Sequence, residues 1–183
     1  KGQTWDGGQR VPCIIRWPGK INEGEETDAL ATTMDFLPSI TNLIGGELPS
    51  KKIDGIDMSE LFFSNNNSSK RESFLYYNED ELEAIRYKNW KLHFKKEGKL
   101  INELYDLEND IGEEVNLYNE NKEIVTELSS LADDYRKSLG DKFLDIKGEE
   151  VRPASRIANP KPLTEFDENH PYMYAEYDKG ERG

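Results

Sequence analysis

The chain has 183 residues, with 37 acidic side chains against 24 Lys and Arg, a formal net charge of −13. That balance argues against a general nucleic-acid binder, which needs a basic patch to meet phosphates. No apolar run approaches a membrane span, and a single Cys excludes an internal disulfide or a multi-cysteine zinc site. Mean hydropathy is −0.86, yet 10% of residues are aromatic, more than disordered chains carry. One domain with a real core, or two small ones, is the expectation.

The sequence opens on Lys1 and runs at once into KGQTWDGGQRVP. It reads as the later part of a longer protein, with trimming of a terminus as the other reading. Residues 11–16, VPCIIR, are nearly all apolar and predict a strand buried on both faces, as in a parallel sheet. Trp17-Pro18-Gly19-Lys20 turns the chain. Over residues 32–44, Phe36, Leu37, Ile40, Leu43 and Ile44 recur at helical spacing, so a helix is predicted, stopped by Gly45-Gly46. Asp54-Gly55 reads as a turn and Asp57 as a helix cap. Two overlapping N-x-S patterns, at Asn66 and Asn67, sit in a polar loop where chance accounts for them as well as glycosylation.

A second unit begins near Arg71. Strands are predicted at 73–77, 83–87, 90–94 and 103–107. In the third, Trp90, Leu92 and Phe94 alternate with Lys91, His93 and Lys95, which predicts a small antiparallel sheet with one dry and one wet face. Residues 120–139 carry a stripe of Ile124, Leu128, Leu131, Tyr135 and Leu139, with Val125 and Ala132 beside it. They form a helix that covers the dry face and stops at Gly140. The isolated chain is thus α+β. From Asp145 onward periodicity fades. The aromatic tail around Met173 is expected to lie over the body.

Chemistry-bearing residues are sparse. Lys1 and Arg10 could each meet an anion, but a surface lysine and a structural ion pair are the simpler readings. His93 and His170 stand 77 positions apart, outside any metal-ligand spacing. His93 is expected at a solvated rim, and Cys13 as a buried structural thiol. Asp54, Asp57 and the acidic run 107–117 lack the calcium-loop pattern.

Taken in order, several segments resemble type I, formylglycine-dependent sulfatases. KGQTWDGGQRVPCIIRWPGKI resembles that family's lysine, then Thr, Glu-Gly-Gly, Arg, Pro and a strand ending in Trp-Pro-Gly. TTMDFLPSITNLIGGELP, IDGIDMSELF, RYKNWKLHF and NELYDLENDIGEEVNL are similar to the segments that follow it, the last to LYDL-x-x-DP-x-E-x-x-NL. Asp6 stands where Glu is usual and Ile111 where Pro is usual.

The resemblance implies the C-terminal part of an alkaline-phosphatase-like α/β sandwich, then a small antiparallel sheet packed with one long helix. Residues 1–70 would belong to the large domain, 71–145 to the small subdomain and 146–183 to an irregular tail. It implies hydrolysis of sulfate monoesters in the complete enzyme, with calcium and a formylglycine supplied upstream of Lys1. Cys13 is outside the C-x-P-x-R pattern that yields formylglycine. Of the family's active-site residues, Lys1 alone carries over, as the lysine that contacts the sulfate and its bridging oxygen. The isolated chain is expected to be inactive, with no cofactor or metal of its own, and neither nucleic acid nor a membrane as partner. A sulfated small molecule or glycan is the implied substrate, the missing N-terminal portion or a second copy the implied protein partner, and a periplasmic, secreted or lysosome-like compartment the implied location. A phosphatase or phosphonate hydrolase of the same superfamily, and a noncatalytic accessory module, remain open alternatives.

Overall fold

The computed structural model describes residues 2–63, 69–153, 156 and 158–159. The chain divides into Lys1–Val151 and Arg152–Gly183. Lys1, Asn66, Asn67, His170 and the aromatic tail lie outside the described residues.

The first unit is built on a four-stranded antiparallel meander. Strands β1 (Ser73–Asn78), β2 (Glu81–Tyr87), β3 (Trp90–Lys96) and β4 (Lys99–Asp106) pair in chain order. The β3–β4 turn is Glu97-Gly98, both at positive φ, the primed geometry that matches strand twist. A register shift between Tyr76 and Tyr77 lets Leu82 and Ile85, three positions apart, enter the same core cluster. It turns Glu83 toward the opposite face.

Helix α3 (Lys122–Leu139) packs on one face of the sheet. Val125, Leu128 and Ala132 meet Leu82, Ile85, Leu92 and Leu104 there. The helix ends at Gly140, whose φ of 84° suits a residue without a Cβ. Near that end Arg136 is buried. Its Nε donates to Asp141 Oδ2 at 2.9 Å, and its guanidinium lies 4.6 Å from the Phe94 ring centre. The α+β layering, the strands and the long helix therefore form as the periodicity indicates.

Two expectations are corrected. The strand at 11–16 does not form. Among the described residues this segment pairs with no strand, Ile14 is 93% exposed and Cys13 is exposed rather than buried. A two-faced strand needs neighbours on both edges, and the meander accepts none. The second correction concerns the wet face of the sheet. Lys91, His93 and Lys95 are all buried, at 0%, 0% and 1% exposure. Alternation located the face correctly but not its covering, because the cover is polar.

Residues 32–44 form a 3-10 turn, Thr33–Asp35, and helix α2, Phe36–Leu43. Pro38 falls within its first turn, where a missing N–H is harmless. Asp35 holds this region together. Its carboxylate takes the Arg71 guanidinium through Nε at 3.0 Å and Nη2 at 2.5 Å, the Ile56 N–H at 2.8 Å and the Thr32 N–H at 2.8 Å. Burial alone would raise its pKa, yet these donors hold it below the ordinary carboxylate value. The knot ties α2 and the Asp54-Gly55 turn to the entrance of β1. The apolar side of α2 has no such cover: Leu37, Ile40 and Ile44 are 53%, 51% and 75% exposed.

Candidate functional site

Thr4, Trp5 and Asp6 cover part of the polar face of the sheet. A short helical turn, α1 (Asp6–Gln9), follows an extended Trp5. Gly8 permits it: a Cβ there would sit 2.5 Å from the Gln3 carbonyl oxygen.

Four side chains form the centre. Lys91 Nζ lies 2.8 Å from Asp6 Oδ1 and 2.9 Å from Glu113 Oε1, with the Tyr76 ring centre 4.2 Å away. An ammonium has three donors and no acceptor, so two carboxylates and a ring face satisfy it. Glu113 Oε2 accepts the Asp6 backbone N–H at 2.6 Å, and Oε1 also accepts from His93 Nε2 at 2.9 Å. An ionised carboxylate only accepts, so the His93 proton resides on Nε2. Nδ1 is buried without a partner. At the edge of the cluster, Thr4 Oγ1 donates to Glu83 Oε2 at 2.9 Å. The Trp5 ring stands edge-on to His93, with centroids 3.6 Å apart.

Electrostatics follow from this geometry. Burial would raise the Glu113 pKa, but hydrogen bonds from His93, Lys91 and the Asp6 N–H together hold it down, to about 2. Burial lowers that of His93, with the Lys91 charge acting the same way, so the imidazole is neutral. The ion pairs of the cluster join Lys91 to Asp6 and to Glu113. The cluster binds the first segment to β3 and leaves His93 Nδ1 as its one unpartnered buried polar atom among the described residues.

The loop that carries Glu113 is self-supporting. Asp106 Oδ1 accepts from the Glu108 N–H at 3.2 Å. Asp110 Oδ2 accepts from the Glu114 and Val115 N–H groups at 2.9 and 2.8 Å. Asn116 Oδ1 takes the Leu104 N–H at 3.1 Å. These are the Asp and Asn positions of the LYDL segment, in which Ile111 stands where the family resemblance has proline.

Of the residues singled out by sequence, Lys1 lies outside the described residues, and Arg10 makes an exposed ion pair with Asp28 at 3.1 Å. Asp57 accepts the Ser59 N–H at 2.9 Å, as a local cap does. His93 enters the buried cluster rather than a rim. Sequence reasoning missed Lys91, Glu113 and the partnership of Asp6. The available signal was a Lys-x-His-x-Lys strand in a chain that also carries an acidic loop. Among the described residues, no group of three or more His, Cys, Asp or Glu could hold a metal ion. The carboxylates present do not fit a calcium site, because Asp57, Asp106 and Asp110 are committed to turn N–H groups. No described helix is long and apolar enough to cross a membrane.

Comparison with known proteins places this arrangement. Bovine arylsulfatase A (Bos taurus) is 32% identical over 151 residues, covering 69% of this chain and 30% of that protein. Mouse steryl-sulfatase (Mus musculus) is 35% identical over 99 residues, covering 51% of this chain and 16% of that protein. A solved 6S-sulf structure, described with the metabolism of multiple glycosaminoglycans by Bacteroides thetaiotaomicron, superposes with a TM-score of 0.56 at 25% identity. The match covers 68% of this chain and 28% of that one. A structure in complex with its substrate D-glucosamine-2-N,6-O-disulfate has the same fold, with a TM-score of 0.56 at 24% identity over 76% of this chain and 30% of that one. The chain therefore spans less than a third of these relatives. The family model for N-sulphoglucosamine sulphohydrolase, C-terminal, matches residues 1–138, and the chain belongs to this sulfatase family.

Proposed function

We propose that this chain is the C-terminal part of an enzyme that hydrolyses sulfate monoesters, and that Lys1 is its contribution to the reacting centre. The observation that carries the reading is the anchoring of the segment next to Lys1. Thr4 and Asp6 are buried and tied to β2, β3 and the Glu113 loop. Lys1 stands three residues before Thr4 in sequence, and the family resemblance makes it a cation of the sulfate site. A fixed cation stabilises negative charge that develops on a bridging oxygen, and does so without reorganisation at the moment of reaction.

The chain's own residues bind and orient. Lys1 neutralises the sulfate, and Thr4 and Asp6 anchor the segment that follows it to the sheet. The nucleophile and the metal ligands, which the family resemblance places upstream of Lys1, belong to the remainder of the enzyme. Residues 1–70 complete the large domain, 71–145 form the small subdomain and 146–183 follow as a C-terminal tail. The exposed apolar side of α2 and residues 11–17 are the surface that the remainder of the large domain covers. In its absence this surface drives self-association. The substrate class is a sulfated small molecule or glycan, and the compartment is periplasmic, secreted or lysosome-like, as for a sulfatase that meets such substrates outside the cytosol.

The test is turnover of an aryl sulfate by the full-length protein, by its Lys1→Ala variant and by the 183-residue chain. Turnover by the first, a loss of at least ~100-fold in the second and none in the third are the expected results. Turnover by the isolated chain, or unaltered turnover by Lys1→Ala, contradicts the reading.

A further inference from the structure

Strand β4 carries one residue more than β3 where the two pair. His93 stands opposite Glu103 and Lys95 opposite Leu100, so Phe94 alone opposes Ile101 and Asn102. Such a bulge interrupts the ladder and bends the strand that carries the extra residue. All three residues line a cavity of about 230 Å³. Helix α3 adds Ser129 and Arg136, and the 3-10 turn Lys142–Leu144 adds Phe143 and Leu144. The rim is apolar. Leu100, Leu144 and Phe143 line the cavity yet are 71%, 47% and 37% exposed, and covering such surface is favourable in proportion to the area removed from water.

The lining is also charged. Arg136 and Lys95 are 6% and 1% exposed, and both line the cavity. Each lies against an aromatic wall. The Arg136 guanidinium is 4.6 Å from the Phe94 ring centre, and Lys95 Nζ is 4.7 Å from that of Phe143. Asp141 is the carboxylate of the lining. Its Oδ2 accepts from Arg136 Nε at 2.9 Å and its Oδ1 from the Phe143 N–H at 3.1 Å. Arg136 Nη1 donates to Asp133 at 2.8 Å, and Lys95 pairs with Glu81. These bonds use two of the five N–H donors of the guanidinium. The lining thus holds two cations and one carboxylate, in a chain whose net charge is −13.

We propose that this cavity binds a small aromatic carboxylate, with its ring against the apolar rim and its carboxylate on Arg136. A bare inorganic anion would leave the rim wet. A neutral hydrocarbon would cover guanidinium donors without bonding them. A cavity of about 150 Å³ holds a benzene ring, so one of about 230 Å³ has room for a ring and a carboxylate. The inference does not rest on the reading of Lys1.

The experiment is a titration of the full-length protein followed by saturation-transfer NMR, with benzoate, benzyl alcohol and acetate as probes. Benzoate is expected to saturate with a Kd on the order of 0.1–1 mM, as its size allows. Benzyl alcohol keeps the ring without the charge and acetate the charge without the ring, and each should bind at least ~10-fold more weakly. Ser129→Leu fills the cavity from α3 and should abolish benzoate binding. Arg136→Gln should weaken benzoate by at least ~10-fold and leave benzyl alcohol unchanged. If either variant fails to fold, Leu100→Glu, at a position 71% exposed, takes its place and should weaken benzoate by ~10-fold through like charge. Absence of saturable benzoate binding up to ~10 mM overturns the proposal. So does benzyl alcohol binding as tightly as benzoate, or benzoate affinity unchanged in a folded Ser129→Leu, Arg136→Gln or Leu100→Glu protein.

Discussion

Leu128 is the residue on which the sheet and the long helix meet. It is 0% exposed and packs among Leu82, Ile85, Leu92, Leu104, Val125 and Ala132. Leu128→Ala deletes three carbons. At ~0.8 kcal/mol per buried methylene, the transfer loss is ~2.4 kcal/mol. The cavity left between a helix and a bonded sheet closes incompletely, which brings the total to ~3–5 kcal/mol. Leu131, one turn on, is only partly buried and lies at the margin of the same cluster. Leu131→Ala should therefore cost less, ~1–2 kcal/mol, since part of its surface is already wet. Urea unfolding followed by far-UV circular dichroism measures both, with the slope unchanged if only stability moved. A cost under ~1 kcal/mol for Leu128→Ala, or equal costs for the two, refutes the packing of α3 on this face.

Acid should destabilise the fold in two steps. His93 is buried neutral, so its contribution is whole above pH 6.5 and falls as pH drops below it, where the unfolded chain takes up the proton first. Glu113, with an ordinary value of 4.5 lowered to about 2, contributes above pH 4.5 on the order of 3 kcal/mol that is lost between pH 4.5 and 2. Unfolding free energy measured against pH should fall through both windows, and Glu113→Gln should flatten the lower one; an unflattened lower limb contradicts the assignment. Gly8→Ala should cost ~1–3 kcal/mol, because its Cβ would meet the Gln3 carbonyl at 2.5 Å, and a neutral result by thermal melting would mean that the turn is looser than drawn. The isolated chain should self-associate through Ile14, Leu37, Ile40 and Ile44, all more than half exposed. Light scattering should report a lower mass for Ile14→Lys with Ile44→Lys, and a monomeric unsubstituted chain would refute that surface.

The difference between what the residues disclosed and what they concealed has a physical origin. Strands and helices announce themselves through local periodicity, so Trp90, Leu92 and Phe94 identified one face of β3, and Val125, Leu128 and Ala132 the matching face of α3. The opposite face carries the same alternation whether water or another segment covers it. Lys91 and His93 look the same in both cases. Their burial depends on Asp6 and Glu113, which are distant in sequence. VPCIIR failed for the complementary reason. Its apolar character describes a two-faced strand, but the pairing partners are not among residues 69–153, where every described strand lies. The sulfatase resemblance located Glu113 and Asp6 within motifs, yet a motif names positions without naming the contacts between them.

The most direct test of the docked first segment is hydrogen exchange at the Asp6 amide in the 183-residue chain. That N–H is held by a buried carboxylate at 2.6 Å, and Asp6 itself is 4% exposed. Exchange requires the segment to leave the sheet. The amides of Asp6 and Leu92 should exchange on the same slow timescale, and Glu113→Gln should speed Asp6 while sparing Leu92. Exchange of Asp6 at the rate of an unstructured peptide, while Leu92 remains protected, would contradict the docked segment.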